Sequence, residues 1–269
     1  MTRKRSIIFV DILIGIFVAA ALFFGWKLVR SHMEYRAGTQ LYASVVNDAV
    51  QAAPPDGSND RTQQVPLKIL RQEEVPLSEQ AAAFCVDFEA LWEINQEIVG
   101  WIIGCDGKIN YPVLQGSDNE RYLTAMVNGA YNACGSVFMD FRNDAGLTDR
   151  NTFIYGHNMQ NGAMFASLCD YTGQAYYEAH PELVLITPEG SWSLQVFSGY
   201  VTQGDSEIYR LDLEEEDEFS SYLELIRGKS NFRSEVPVTP QDQIITLSTC
   251  AYDYEDARFV LHCKPVRMQ

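Results

Sequence analysis

The first hydrophobic feature of the chain is one long apolar stretch near the N-terminus. Residues 6–26 contain a single charge, Asp11, follow a basic run at residues 3–5, and end at Trp26. About 20 apolar residues are what a membrane-spanning helix needs, and a tryptophan beside basic residues is typical of its interface. The pattern predicts a membrane anchor over 6–26, preceded by a cytoplasmic segment, 1–5. A cleaved signal peptide is the alternative, and the apolar residues that follow the small ones at 19–21 argue against it.

Helical segments and a linker are predicted after the anchor. Apolar side chains recur at helical spacing over about 33–50, and residues 53–60 are rich in Pro, Gly, Asp and Asn, as linkers are. A further helix is predicted over 78–96, with Cys85 on its apolar face. We therefore interpret 27–77 as a helical stem with a linker, and 78–269 as one folded domain that begins with a helix.

From residue 101 onward the pattern changes to short apolar runs bounded by Gly, Asn, Asp and Pro. The runs are rich in β-branched and aromatic residues, as strands are. Eight such runs predict a closed or nearly closed β-barrel, so the expected fold class is mainly β with added helices. The runs are 101–104, 111–114, 135–139, 151–155, 182–186, 191–197, 243–247 and 258–263.

An insertion between the sixth and seventh runs contains a strongly acidic segment, 214–218. Acidic residues in a first turn favour a helix, which is predicted to continue to about residue 227. The simplest interpretation of its charges is a solvated helix face. The whole chain carries 36 Asp and Glu against 20 Lys and Arg, a formal net charge of -16. Because nucleic-acid binding needs clustered basic residues, the composition excludes nucleic acid as the expected partner.

The six cysteines do not form a metal-binding pattern. Cys105, Cys134 and Cys169 lack the paired spacing with His or with each other that a zinc site needs, and Cys85 fits a buried small hydrophobe. His262 and Cys263 are adjacent on a predicted strand and therefore point to opposite faces. We expect no metal site and no cofactor.

Two other positions carry candidate chemistry. His157 follows a predicted strand and Gly156, and Cys250 ends another strand, with Arg258 at the start of the next one. A cysteine and a histidine from distant parts of a chain can form a nucleophile and base pair, and a nearby arginine can stabilise a developing oxyanion. Taken by itself, a lone cysteine is more often a buried hydrophobe, so spacing leaves both alternatives open.

The segments Thr246-Leu247-Ser248-Thr249-Cys250 and Tyr155-Gly156-His157, with Arg258 after them, resemble the active-site signature of the sortases. The segment 135–140 and the helical insertion before the Cys strand are similar to class B of that family. The resemblance covers about residues 78–266 and implies an eight-stranded sortase-type barrel. It also implies N-terminal helices and a long helix between the sixth and seventh strands.

The resemblance implies a cysteine transpeptidase in which Cys250 is the nucleophile, His157 the general acid and base, and Arg258 the electrostatic stabiliser. Its substrates would be secreted proteins with a C-terminal sorting signal of the form Asn-Pro-x-Thr-Asn/Gly or Leu-Pro-x-Thr-Gly. The enzyme would cleave after Thr through a thioester and transfer the acyl group to an amine of the peptidoglycan cross-bridge or of a pilin. The implied substrate-binding residues are Ser248, Tyr155, Asn119, Leu123, Ile208 and Tyr209.

Together with the anchor, the resemblance implies a single-pass protein of the cell membrane. Its N-terminus would lie inside the cell and its catalytic domain, 78–269, outside. Two other functions are possible. A cysteine protease would use the same residues and pass the acyl group to water, and a non-catalytic surface domain would bind a peptide or wall component in a barrel groove without needing Cys250.

Overall fold

The computed structural model describes residues 2–52, 76–81, 84–104 and 107–268. The predicted linker 53–60 and Cys105 lie outside these residues. The described helices are α1 (Thr2–Ala49), α2 (Leu77–Ala81), α3 (Phe88–Ile94), α4 (Gln174–Ala179) and α5 (Glu216–Gly228). The strands are β1 (Val50–Ala52), β2 (Phe84–Val86), β3 (Ile98–Gly104), β4 (Asn110–Leu114), β5 (Val137–Met139), β6 (Asn151–Tyr155), β7 (Glu182–Thr187), β8 (Gly190–Gln203), β9 (Ile244–Cys250) and β10 (Ala257–Arg267).

Strands β3 to β10 form a closed barrel in the order β10-β8-β7-β3-β4-β5-β6-β9. Each of the eight predicted runs overlaps one of these strands, so the predicted eight-stranded barrel is confirmed. Two neighbouring pairs, β4 with β5 and β6 with β9, are parallel, and the others are antiparallel. In a parallel pair, the C-terminal ends of both strands lie at the same rim of the barrel.

The predicted helix between the sixth and seventh barrel strands is present as α5. Its first turn carries Glu216, Asp217 and Glu218, which suit the positive end of the helix dipole. Its apolar side is buried in a second core on the outside of the barrel, separate from the main one. This core contains Phe197, Tyr200, Ile208, Leu213, Phe219, Tyr222, Leu223, Ile226, Ile244 and Val260.

The single helix predicted over 78–96 is wrong. The structure breaks this segment into α2, β2 and α3, because β2 pairs with β1 and the side chain of Asp87 caps the first turn of α3 at Ala90 N. Cys85 is consequently on a strand and exposed, not on a buried helical face.

Helix α1 is continuous from Thr2 to Ala49, where the sequence predicted an anchor and a separate stem helix. From Leu13 onward it contains a window with a mean hydropathy of 1.8 and no buried residue, and it is the one described helix long and apolar enough to cross a membrane. Near its C-terminal end, Tyr42, Val45 and Ala49 are buried against the barrel. The hydroxyl of Tyr42 donates to the carbonyl of Gly135 at 2.8 Å.

Candidate active site

The parallel pairing of β6 with β9 brings His157 and Cys250 to one rim of the barrel. Tyr155 is paired with Ser248, and each candidate catalytic residue follows two positions later on its own segment. The amide of Gly156 continues this pairing by donating to the carbonyl of Ser248 at 3.1 Å. A Cβ at Gly156 would lie 2.7 Å from a ring carbon of Phe165, so glycine lets the chain turn closely past that ring.

Arg258 joins the same rim from β10, because its Cα is paired with that of Cys250 across the antiparallel β9–β10 ladder. One guanidinium nitrogen forms an ion pair with Asp256 at 2.7 Å, and the other donates to the carbonyl of Ala257 at 3.1 Å. Asp256 adopts a left-handed conformation, with φ of 57°. Cys250, His157 and Arg258 are all partly exposed, as residues that meet a substrate must be.

The His157 ring is held by main-chain atoms of a neighbouring loop. Its Nε2 lies 2.7 Å from the carbonyl oxygen of Leu123. Leu123 ends a short 3-10 turn, Arg121–Leu123, and its side chain is 42% exposed. The structure therefore brings the predicted groove residue Leu123 to the candidate base.

Asn158 links the segments that carry His157 and Cys250, and the sequence analysis missed it. Its Nδ2 donates to the carbonyl of Cys250 at 2.9 Å and to Sγ of Cys169 at 3.3 Å. The hydroxyl of Tyr252, in the loop after Cys250, donates to the Asn158 carbonyl at 3.1 Å. Its place directly after His157 was the one sequence signal that could have found it.

Cys169 lies beside the candidate nucleophile. Its Sγ donates to the carbonyl of Cys250 at 3.8 Å. Burial, and to a smaller extent the neighbouring charge of Asp170, raises the pKa of the Cys169 thiol to about 11. Because the thiolate is the nucleophilic form, Cys169 stays protonated at neutral pH and does not compete as the nucleophile.

Four of the six predicted substrate-binding residues take part in two hydrogen-bonded groups at this rim. The Tyr209 hydroxyl lies 2.8 Å from Ser248 Oγ, and burial raises the pKa of Tyr209. The Tyr155 hydroxyl and the Asn119 amide both donate to Asp140, at 3.0 and 2.9 Å. Ile208 has no exposed surface and packs in the second core, so it supports its neighbour Tyr209 instead of facing the rim.

Asp140 is a buried carboxylate that the sequence analysis did not single out. Arg142 donates to it from Nε at 2.9 Å and from Nη2 at 2.8 Å, and its own backbone amide donates at 3.0 Å. Burial by itself would raise the pKa of Asp140, but these hydrogen bonds and those from Asn119 and Tyr155 hold it below the ordinary value. The ionised carboxylate thus fixes the side chains of Asn119 and Tyr155.

The described residues contain no group of three or more His, Cys, Asp or Glu side chains placed to hold a metal ion. A thiol, an imidazole and a guanidinium at one partly open rim suit nucleophilic acyl transfer.

A model of the sortase domain matches residues 105–266. The chain belongs to the sortase family. A sortase B from Staphylococcus aureus is 32% identical to it over 271 residues, which cover 100% of both chains. Of the solved structures, a Staphylococcus aureus sortase B–substrate complex gives a TM-score of 0.64 at 38% identity, covering 68% of this chain and 85% of that chain. The structure of a sortase B complexed with triglycine gives a TM-score of 0.64 at 39% identity, and the match covers 68% of this chain and 86% of that chain.

These matches confirm the resemblance to class B sortases that the Cys, His and Arg segments indicated. The protein is a cysteine transpeptidase. Its barrel, with the inserted helix between β8 and β9, is the sortase B fold.

Proposed function

We propose that this sortase cleaves a C-terminal sorting signal after its Thr through a thioester on Cys250. The Cys250 thiolate attacks the Thr carbonyl carbon, an S–C bond forms, and the C–N bond to the next residue breaks. His157 gives its proton to the departing amine. The observation that carries the proposal is the meeting of Cys250, His157 and Arg258 at one rim through the β6–β9 and β9–β10 pairings.

Arg258 is proposed to stabilise the oxyanion that forms during attack. Its fork reaches solvent at the rim, and its ion pair with Asp256 and its bond to Ala257 hold one orientation. A guanidinium presents several donors in a plane, so it can donate hydrogen bonds to the developing oxyanion while it keeps its ion pair with Asp256. A lysine would keep the charge and lose this geometry.

The substrate is proposed to be a peptide of the form Asn-Pro-x-Thr-Asn/Gly or Leu-Pro-x-Thr-Gly. Two hydrogen-bonded polar groups lie at the rim: Ser248 with Tyr209, and Asn119 with Tyr155, which both bond Asp140. The exposed residue Leu123 adds an apolar surface. A partly polar and partly apolar groove suits a short peptide. The solved Staphylococcus aureus sortase B–substrate complex supports this use of the fold.

The acceptor is proposed to be a primary amine of the peptidoglycan cross-bridge or of a pilin. The amine attacks the thioester, an N–C bond forms, the S–C bond breaks, and His157 takes the amine proton. The sortase B structure complexed with triglycine supports an amine-bearing peptide as the acceptor.

The apolar part of α1 is proposed to anchor the enzyme as a single-pass membrane protein. Its N-terminal end would lie inside the cell and the catalytic domain, 78–269, outside, with 27–77 as the stem and linker. The exposed apolar side chains along 13–29 support this location, because a soluble protein rarely leaves so many exposed along one helix.

The proposal is tested by incubating the full chain, in detergent micelles, with peptides of both signal forms and with triglycine or a lysine-containing peptide. Mass spectrometry of the products should show one signal form cleaved after Thr and joined to the acceptor amine. Cys250→Ala should give no product. Cleavage that yields only the free acid at saturating amine would mean that the protein is a protease. No cleavage by the wild type would contradict the proposal and favour a non-catalytic peptide-binding domain.

A further inference from the structure

A main-chain carbonyl is hydrogen-bonded to one ring nitrogen of the candidate catalytic histidine. Histidine bases are held in one tautomer by a hydrogen bond to the ring nitrogen that faces away from the nucleophile, and a carboxylate often provides it. In this chain Nε2 of His157 lies 2.7 Å from the carbonyl oxygen of Leu123. Within the described residues, Nδ1 has no hydrogen-bond partner.

This contact is compatible with only one neutral form of the ring. A carbonyl oxygen accepts and cannot donate, so Nε2 must carry the hydrogen. The neutral ring is then the Nε2–H tautomer and Nδ1 holds the lone pair. The imidazolium keeps the same Nε2–H bond, so the ring gains and loses a proton at Nδ1 without changing its hold on Leu123.

We propose that the Leu123 carbonyl is the positioning acceptor for His157, and that Gly135 is the residue that allows this carbonyl to reach it. The inference rests on the proposed role of His157 as general acid and base. The proton that goes to the departing amine leaves from Nδ1, and the proton of the attacking amine returns to Nδ1. No other bond of the ring needs to break in either step.

The reach of the carbonyl depends on the loop 121–136, which folds back on itself. Ala125 bridges Tyr131, and the amides of Asn132 and Ser136 donate to the carbonyls of Thr124 and Tyr122 at 2.8 and 2.9 Å. Gly135 lies against the Leu123 peptide at the closing end of this loop. It has φ of +54°, and a Cβ there would lie closest to the Tyr122 carbonyl oxygen and 2.7 Å from the Leu123 carbonyl oxygen. Only glycine gives this approach without displacing the acceptor.

Helix α1 supports the same loop from behind. The Tyr42 hydroxyl donates to the Gly135 carbonyl at 2.8 Å and lies 2.9 Å from Ser136 Oγ. Ser136 Oγ in turn donates to the carbonyl of Ala125 at 2.8 Å. The buried Tyr42 therefore fixes the turn that carries the positioning carbonyl, and the stem helix contributes to the geometry of His157 without touching it.

The tautomer can be measured directly, because the chain contains four histidines in all. The full chain, labelled with ¹⁵N-histidine and held in detergent micelles, is recorded about two pH units above the ordinary histidine pKa of ~6.5. His157→Gln assigns the resonances. We expect the His157 ring to show a protonated Nε2 and an unprotonated Nδ1. A protonated Nδ1 overturns the proposal.

A pair of glycine variants tests the role of Gly135. Gly135→Ala should give a mixture of His157 tautomers and lower kcat on the order of 10- to 100-fold, with a much smaller change in KM. Gly129→Ala is the matched control: Gly129 also has a positive φ, of +79°, but no atom lies within 4 Å of its Cβ position. Equal effects of the two variants on the tautomer and on kcat would overturn the role of Gly135.

Tyr42→Phe provides a milder test if Gly135→Ala does not fold. It keeps the buried ring and removes the two hydroxyl contacts, and it should lower kcat by about 3- to 10-fold with an altered His157 Nε2 resonance. A normal resonance and normal kcat would overturn the contribution of α1. If the wild type forms no acyl-enzyme, the proposed function fails whatever the tautomer. If it turns over normally with a protonated Nδ1, only this inference fails.

Discussion

At the scale of single residues, Asn158 connects the candidate nucleophile to the candidate base. Its side chain donates to the carbonyl of Cys250, while its own main chain directly continues from His157. A net hydrogen bond of this kind contributes about 1 kcal/mol, and misplacement of reacting groups costs more in rate than in stability.

We predict that Asn158→Ala lowers kcat by about 10-fold or more while the unfolding free energy changes by only about 1 kcal/mol. Steady-state kinetics with the preferred peptide and acceptor provide the measurement. Asn161→Ala is the control in the same loop, because the Asn161 side chain is exposed and, among the described residues, accepts a hydrogen bond only from the nearby Ala163 amide. Indistinguishable kinetics for the two variants would count against the positioning role of Asn158.

A second residue-scale prediction concerns His262, which is fully buried between Thr246 and Tyr200 at 2.9 and 3.2 Å. Burial lowers the pKa of His262 from 6.5 to about 3. Between these values the unfolded chain binds the proton and the folded chain does not, so stability is present above pH 6.5 and is lost as the pH falls.

Between pH 7 and pH 5, the wild type should lose about 2 kcal/mol more unfolding free energy than His262→Gln, which has no proton to gain at this position. Denaturant unfolding followed by tryptophan fluorescence at the two pH values gives both differences. Parallel losses in wild type and variant would show that His262 does not control this pH dependence.

The sequence marked Cys250, His157 and Arg258 as candidates because each stands at the end or start of an apolar run, and the resemblance to the sortases implied their roles. The roles of Asn158 and Asp140 could not be predicted from the sequence, for a physical reason. Their importance lies in partners far along the chain, such as Cys250 for Asn158 and Tyr155 for Asp140. Ile208 was expected at the groove, and burial under α5 removed it from there.

At the scale of elements, the segment after β6 packs closely on the Phe165 ring because residue 156 is a glycine. The Phe165 ring is fully buried against it, and the Phe165 amide donates to the carbonyl of His157 at 2.9 Å. A side chain at Gly156 must therefore push either the ring or the His157 segment.

Gly156→Ala is expected to destabilise the barrel by about 1–3 kcal/mol, as overpacking does, and to lower kcat more than 10-fold because His157 moves with the segment. Thermal melting and kinetics on the same samples test both effects. Gly173→Ala is the control, since Gly173 has an extended φ of −155° and no atom within 4 Å of its Cβ position. A wild-type kcat in Gly156→Ala would contradict the prediction.

The element predictions were most accurate where a local sequence pattern determines the structure. Each barrel strand was predicted from its apolar run, and α5 from its acidic first turn. The helix predicted over 78–96 failed because a long-range pairing, β1 with β2, overrides the helical periodicity of that segment. The parallel pairing of β6 with β9 joins segments about 90 residues apart, so no local pattern could give its register.

At the scale of the whole molecule, α1 connects the proposed membrane span to the barrel without a break. From Trp26 to the docked Tyr42 the helix rises about 24 Å at 1.5 Å per residue. A continuous helix of this length would hold the catalytic rim at a fixed short distance from the membrane surface.

The proposed orientation predicts that a membrane-impermeant maleimide labels Cys85 in intact cells that express the Cys250→Ala chain. Among the described cysteines that remain in this variant, Cys85 is exposed, Cys169 is partly exposed, and Cys134 and Cys263 are buried. Adding Cys85→Ser should remove most of the label. Labelling that occurs only after the cells are lysed would contradict an extracellular catalytic domain.

The central claim is that the acyl group of the substrate passes through Cys250. The full chain is mixed with its cleavable signal peptide without amine, quenched in acid, digested with pepsin and mapped by mass spectrometry. The account predicts the peptide fragment ending in Thr on Cys250, absent from Cys250→Ala and unchanged in Cys85→Ser. An acyl group on another residue, or one that persists in Cys250→Ala, would contradict it.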